Sequence, residues 1–279
     1  LLVRFRRGKA AVTADISMAY NGTKLRPEHL KYQKYLWKDG LLEANPTKVM
    51  YVTTLIYGVK PSGQQTQVSL EKLAAYFRKQ HRLLEGAVVL ETDTYVDDII
   101  NSQDSQQDCM AVAAEIVEIL ARGSMSVKAF TLSGNKPDEK VSANGTLVGL
   151  AGYLWAPEAD TIELDIGPPR LGKAKRGRRP NPVSGDYKEA LRSSFTKRVL
   201  TGLVAGVFDP LGLATPITAG FKLDLHQLCE LKLDWDDKVP DQLLEKWVGN
   251  MEKIQSLGGL TFQRSVIPLD AVNTQVELL

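Results

Sequence analysis

Cysteine, histidine and net charge are all scarce in this chain. Two cysteines, Cys109 and Cys229, and three histidines, His29, His81 and His226, occur in 279 residues. None falls at the short spacings that hold zinc or an iron–sulfur cluster, so a Cys/His metal centre is not expected. The two thiols lie far apart and read as reduced and buried, which favours an intracellular setting. A formal charge of +2 supplies no global field to gather a polyanion, so any nucleic-acid contact must rest on local basic segments. No apolar run reaches the length of a membrane span, and the basic opening residues lack the apolar stretch of a signal peptide. What is present, 43% hydrophobic and 24% charged residues, suits one large or two small domains with a real core.

Against that background the informative feature is Tyr95-Val96-Asp97-Asp98. Average composition predicts roughly 0.02 chance matches to Tyr-x-Asp-Asp in a chain this long. Apolar residues on either side, Ala87–Leu90 and Ile99-Ile100, suggest strand, tight turn, strand, with the acids at the turn. Two fixed carboxylates suit a hard divalent ion such as Mg²⁺, and a third would complete a two-metal site for phosphoryl or nucleotidyl transfer. Adjacent acids alone say little, since Asp236-Asp237 also occurs. The candidate third acid is Asp15, at the end of an apolar strand with Tyr20 five residues on. It either caps the next segment while Tyr20 fills core, or it ligates metal with Tyr20 beneath the sugar of a nucleotide.

Periodicity orders the rest. Strands are expected at Ala10–Ile16, Val49–Ile56, Ser126–Leu132, Leu147–Trp155 and Thr161–Ile166, with an irregular region before the second. Amphipathic helices are expected at Ser69–Leu84 and at Cys109–Arg122, the latter stopped by Gly123. Residues 167–185 combine prolines with Arg170, Lys173, Lys175, Arg176, Arg178 and Arg179, and read as a linker. Helices follow at Tyr187–Val204, Ala219–Leu233 and Asp241–Leu257. The expected class is α+β, with an antiparallel sheet and packed helices over 1–166 and a mostly helical region over 186–279.

Together these motifs resemble the polymerase palm of a reverse transcriptase, specifically that of BEL/Pao-type LTR retrotransposons. Asp15 with Tyr20 is similar to the first acidic motif, and Tyr95–Asp98 to the last. The loop Leu55–Gly63 resembles the segment between them, with Ser62-Gly63 where many relatives have Ser-Pro and Tyr57 where retroviral enzymes often carry Gln. Lys128 stands where the family has a palm lysine discussed as a general acid, and Leu150–Trp155 resembles the primer-gripping hairpin. Val207–Pro216 resembles the Phe-Asp-Pro-Leu-Gly-Leu signature of the lineage, and Leu233–Asp237 its next segment, which makes Asp236-Asp237 a solvated turn and helix cap.

The resemblance implies that Asp15 and Asp97 bridge two Mg²⁺ (or Mn²⁺) ions with Asp98 in support. Tyr20, Tyr57, Gly58 and Tyr95 would meet the nucleotide; Ser62, Gly152, Tyr153 and Trp155 would meet template or primer; Lys128 would be the general acid. It further implies dNTP, a primed RNA or DNA template and other parts of one polyprotein (fingers, RNase H, integrase) as partners, with no membrane. The setting would be a cytoplasmic virus-like particle and the nucleus. The chain opens at Leu1 in strand-like sequence, so a segment of something longer is expected: the fingers before it, a palm with the primer-gripping hairpin over 1–166, a helical thumb and connection region over 186–279, and RNase H after it. A rival reading is a decayed or domesticated remnant that binds nucleic acid without polymerising. An aspartic peptidase would need Asp-Thr-Gly or Asp-Ser-Gly, and neither occurs.

Overall fold

Small and β-branched residues at Ala10–Ser17 organise the first half of the structure, because a strand paired on both edges can bury side chains on both faces. The computed structural model describes residues 1–40, 45–137, 146–171 and 187–267. It divides into two units, Leu1–Thr146 with Pro157–Ala159 and Ser265–Leu279, and Leu147–Ala156 with Asp160–Arg264. The first unit runs α1 (Leu2–Phe5), β1 (Ala10–Ser17), α2 (Ala19–Gly22), β2 (Lys34–Lys38), β3 (Thr47–Tyr51), α3 (Ser62–Lys79), α4 (Leu84–Thr92), β4 (Thr94–Tyr95), β5 (Asp98–Gln103), α5 (Gln106–Arg122) and β6 (Ser126–Leu132). The second runs β7 (Val148–Leu150), β8 (Tyr153–Ala156), β9 (Thr161–Leu164), α6 (Tyr187–Ser193), α7 (Lys197–Ala205), α8 (Thr215–Glu230), α9 (Leu244–Leu257) and β10 (Thr261–Gln263). Antiparallel sheets with packed helices make this an α+β architecture.

In the first unit the sheet order is β4-β5-β1-β6. Ala14, Ile16 and Ile99 pack from it against Leu70 and Phe77 of α3 and Ile116 of α5. Ser105 starts α5 by accepting the Asp108 amide at 3.1 Å, and Val112, Ile116, Ile119 and Leu120 follow at helical spacing on its buried face. Each of these aliphatic side chains contributes about 1.5–3 kcal/mol by leaving water. β2 and β3 form a separate two-stranded ribbon, so the region that reads as irregular supplies a strand.

Several expectations are corrected. Ala87–Leu90 lies in helix α4, not in a strand: a short apolar run fits either form, and packing against α5 decides it. Gly86 permits that packing, since a Cβ there would lie 2.7 Å from the Glu115 side chain. The span 187–204 is two helices, because Thr196 restarts the chain by accepting the Val199 amide at 3.4 Å. Cys109 is buried as expected, but Cys229 is exposed. Of the basic linker, 172–186 lies outside the described residues.

The expected boundary at 166 also moves. Strands β7, β8 and β9 form one sheet with β10 in the order β10-β9-β8-β7, so they belong to the second unit. No local signal announces this, because β10 pairs with β9 from a hundred residues away. One buried ion pair locks the arrangement. Arg264 is wholly buried, and its guanidinium meets Asp160 through two hydrogen bonds of 2.7 and 2.8 Å. Asp160 Oδ1 also accepts the Trp155 indole N–H at 3.0 Å. Removing one partner of such a pair leaves the other charge without compensation, a loss of about 3–5 kcal/mol. Arg264→Met is therefore expected to lower the midpoint of thermal unfolding well beyond the effect of an exposed-site control such as Lys253→Met; equal midpoints would refute the role of the pair.

Candidate active site

The three acids are set by strand register. Asp15 on β1 and Asp98 on β5 are direct antiparallel partners, so their side chains leave the same face of the sheet. Asp97 occupies the two-residue turn between β4 and β5, tied down where its carbonyl accepts the Ile16 amide at 2.8 Å. Val96 makes the turn at φ 61°, a left-handed conformation that costs a β-branched residue strain.

Lys128 arrives from the other side of β1. Between the pairs Ala14–Phe130 and Ile16–Val127, strand β6 carries one extra residue, a bulge opposite Asp15. The Lys128 ammonium lies 3.0 Å from Asp15 and makes its hydrogen bond to Oδ2. That bond, followed by the charge of Asp15, raises the Lys128 pKa above its usual range. Asp15 Oδ1 is buried and also lies 3.0 Å from the Lys128 ammonium, as an ion-pair contact and not as a hydrogen-bond acceptor. Asp98 is pushed up to about 6, first by burial of its carboxyl and then by the charges of Asp97 and Asp15, with Lys128 opposing.

These residues fit a divalent cation in donor chemistry: three carboxylates in mutual repulsion that a cation would relieve. As the side chains stand, with Asp15 held by Lys128, no three His, Cys, Asp or Glu among the described residues enclose an ion.

The remaining predicted site residues divide. Tyr20 on α2 meets Tyr57 edge to face, with centroids 4.5 Å apart and planes at 88°. Tyr57 and Tyr95 are exposed. Gly58 has φ +86° and open space where a Cβ would be, so it is the backbone conformation that calls for glycine here. Ser62 is buried and donates to the Ile56 carbonyl at 2.7 Å, which makes it an anchor for the start of α3 and takes it out of reach of a template.

Gly152, Tyr153 and Trp155 also differ from the expectation. They lie in the second unit, and Tyr153 and Trp155 are buried, so neither ring can meet a template or primer. Trp155 donates to Asp160, while Gly152 and Tyr153 meet the Phe-Asp-Pro-Leu-Gly-Leu stretch. The Tyr153 hydroxyl donates to Asp209 and accepts the Leu211 amide at 3.0 Å. Asp209 in turn accepts the amides of Leu213 at 3.0 Å and Ala214 at 2.8 Å, shaping the approach to α8. Gly152, at φ +97°, has Phe208 where its Cβ would go, 2.3 Å away. Asp236 and Asp237 do lie in an exposed turn, where Asp236 pairs with Arg198 at 3.0 Å and Asp237 accepts the Asp234 amide at 2.9 Å.

Fold and site thus define an α+β chain whose first unit presents an acidic cluster on its sheet and whose second unit joins a four-stranded sheet to helices. Residues 196–279 match the model of the family described as the Pao retrotransposon-like RNaseH-like domain. The match supports a Pao-type retrotransposon polyprotein as the setting of this chain. It contains Val207–Pro216 and does not extend to the acids of the first unit; the matched segment is RNaseH-like within the chain, where the resemblance implies a thumb and connection region with RNase H only after it. No curated protein matches the chain.

Because the Asp98 pKa is raised, its charge opposes the folded state: stability falls as pH climbs from the ordinary carboxylate range through about 6. In EDTA, Asp98→Asn is expected to unfold at a higher temperature than the unaltered chain at pH 8, with the gain vanishing near pH 4. A variant no more stable at pH 8 would contradict the site electrostatics.

Proposed function

We propose that the first unit is the palm of a BEL/Pao-type reverse transcriptase, an RNA-directed DNA polymerase that adds a dNTP to a primer 3′-hydroxyl on an RNA or DNA template. The observation that carries this reading is the pairing of Asp15 with Asp98 across β1 and β5, with Asp97 at the adjoining turn. The polyprotein setting of the matched segment supports nucleic acid as substrate and other parts of the same polyprotein as companions.

In this reading Asp15, Asp97 and Asp98 would hold two Mg²⁺ or Mn²⁺ ions, which when bound supply Lewis acidity toward the 3′-hydroxyl and the triphosphate. Lys128 keeps a proton beside the cluster: its tie to Asp15 favours the ammonium form, so it remains able to donate toward the leaving pyrophosphate. Tyr20, braced edge-on by Tyr57, is a wall against a ribose 2′-hydroxyl. Tyr57 and Tyr95 offer exposed ring faces to the incoming nucleotide. Gly58 lets the backbone turn between Tyr57 and α3 without strain.

Primer extension on an RNA template with Mg²⁺ or Mn²⁺ tests the reading, run on this chain and on one extended upstream of Leu1. Asp97→Asn is expected to abolish extension in whichever form is active without lowering the midpoint of thermal unfolding; extension at the unaltered rate would sink the assignment. Replacing Tyr20 by Ala is expected to raise ribonucleotide incorporation relative to deoxynucleotide, measured as the ratio of the two kcat/KM values, whereas an unaltered ratio would remove Tyr20 from the sugar site.

A further inference from the structure

The β2–β3 ribbon has large side chains exposed on both of its faces. Tyr35, Trp37 and Tyr51 are 43%, 51% and 45% exposed although each sits in a regular antiparallel ladder. Register puts Tyr35 and Trp37 on one face with Met50 and Lys48, and Tyr51 on the other with Lys34 and Leu36. Cations are interleaved with the rings: Lys34 lies 5.9 Å from the Tyr51 centroid and Lys31 5.1 Å from that of Tyr32. From Lys24 to Asp39 the chain carries five Lys or Arg against two acids, Glu28 and Asp39, the latter paired with Lys48 and accepting the Trp37 indole N–H at 2.8 Å while leaving the ring faces open.

Exposed rings set among lysines match one chemistry, a polyanion with flat faces. Bases stack on aromatic side chains while the phosphates meet the cations, without a sequence requirement. An apolar protein partner would instead bury those ammonium groups at a cost in desolvation. The root of the ribbon adds direction. Leu25 donates to the Thr53 carbonyl at 2.9 Å and Leu55 to that of Thr23 at 3.0 Å, immediately beside Tyr20 and Tyr57. A strand lying along the ribbon therefore runs away from the acidic site over roughly 16 Å, the length of a five-residue strand.

We propose that the β2–β3 ribbon binds single-stranded nucleic acid, with Trp37 and Tyr51 as the stacking rings on its two faces. This rests on the polymerase reading only for its direction. The test is made in EDTA, where no polymerisation occurs, so failure of one leaves the other standing. Titrating the chain with oligo(dT) is expected to quench tryptophan emission, and Trp37→Phe is expected to remove most of the quench. Trp37→Ala with Tyr51→Ala is expected to weaken single-strand binding about tenfold or more in fluorescence anisotropy, with binding of a blunt duplex little changed. Lys31→Ala with Lys34→Ala is expected to lower the steepness of the salt dependence. A quench that persists in Trp37→Phe, equal losses for duplex and single strand, or self-association abolished by Trp37→Ala with oligonucleotide binding intact would each overturn the proposal. Circular dichroism confirms that the exposed substitutions leave the fold in place.

Discussion

The register of β1 is the constraint on which the first unit depends. This strand is hydrogen-bonded on both edges, to β5 and to β6, and it carries Asp15 at its end. A slip of one residue would exchange its two faces: Asp15 would turn toward the helices, and Ala14 and Ile16 toward the acids. The burial of Ala14 and Ile16 under α3 and α5 therefore holds the carboxylate of Asp15 opposite that of Asp98. Core packing and site geometry are one constraint here, which explains how mutually repelling acids are kept together without any partner beyond Lys128.

The second unit is organised differently, around polar groups buried in pairs. Asp160 collects the guanidinium of Arg264 and the indole of Trp155. Asp209 collects the Tyr153 hydroxyl and two backbone amides. Each acid takes one donor from far along the chain, Arg264 or Tyr153, and the others from within five residues, so each closes a long loop and orders a local turn at the same time. The stretch Phe208–Leu213 is, in physical terms, an aspartate that orders the entry to a helix and a phenylalanine seated on a glycine.

Much of the fold was legible in the sequence. Long periodic segments gave themselves away: α5, the body of α3, α9, β1 and β6 lie close to where their spacing puts them. α4 did not, because a four-residue apolar run has no period of its own and its helix is decided by contact with α5. β10 was invisible for a related reason, being three residues long with a partner a hundred residues away. At the site, the spacing of Asp15, Tyr20 and Asp97-Asp98 was enough to select residues that the sheet brings together. Lys128 depended on a bulge, which no local pattern reveals. Tyr153 and Trp155 carried a usable signal that the resemblance outweighed: they alternate with Leu154 and Ala156, and period two places them together on one buried face. The ribbon escaped notice because exposed aromatic and basic residues alternate without an apolar face.

The left-handed turn at Val96 bears on what holds the site together. A β-branched residue disfavours that backbone conformation, and β4 contributes only two residues to the hairpin, so nothing local holds the turn in shape. Its support comes from β1, through the Ile16 amide and the ladder to β5. The acidic cluster is thus a property of the assembled sheet and not of its hairpin: without β1 docked, neither the turn nor the pairing of Asp15 with Asp98 is held.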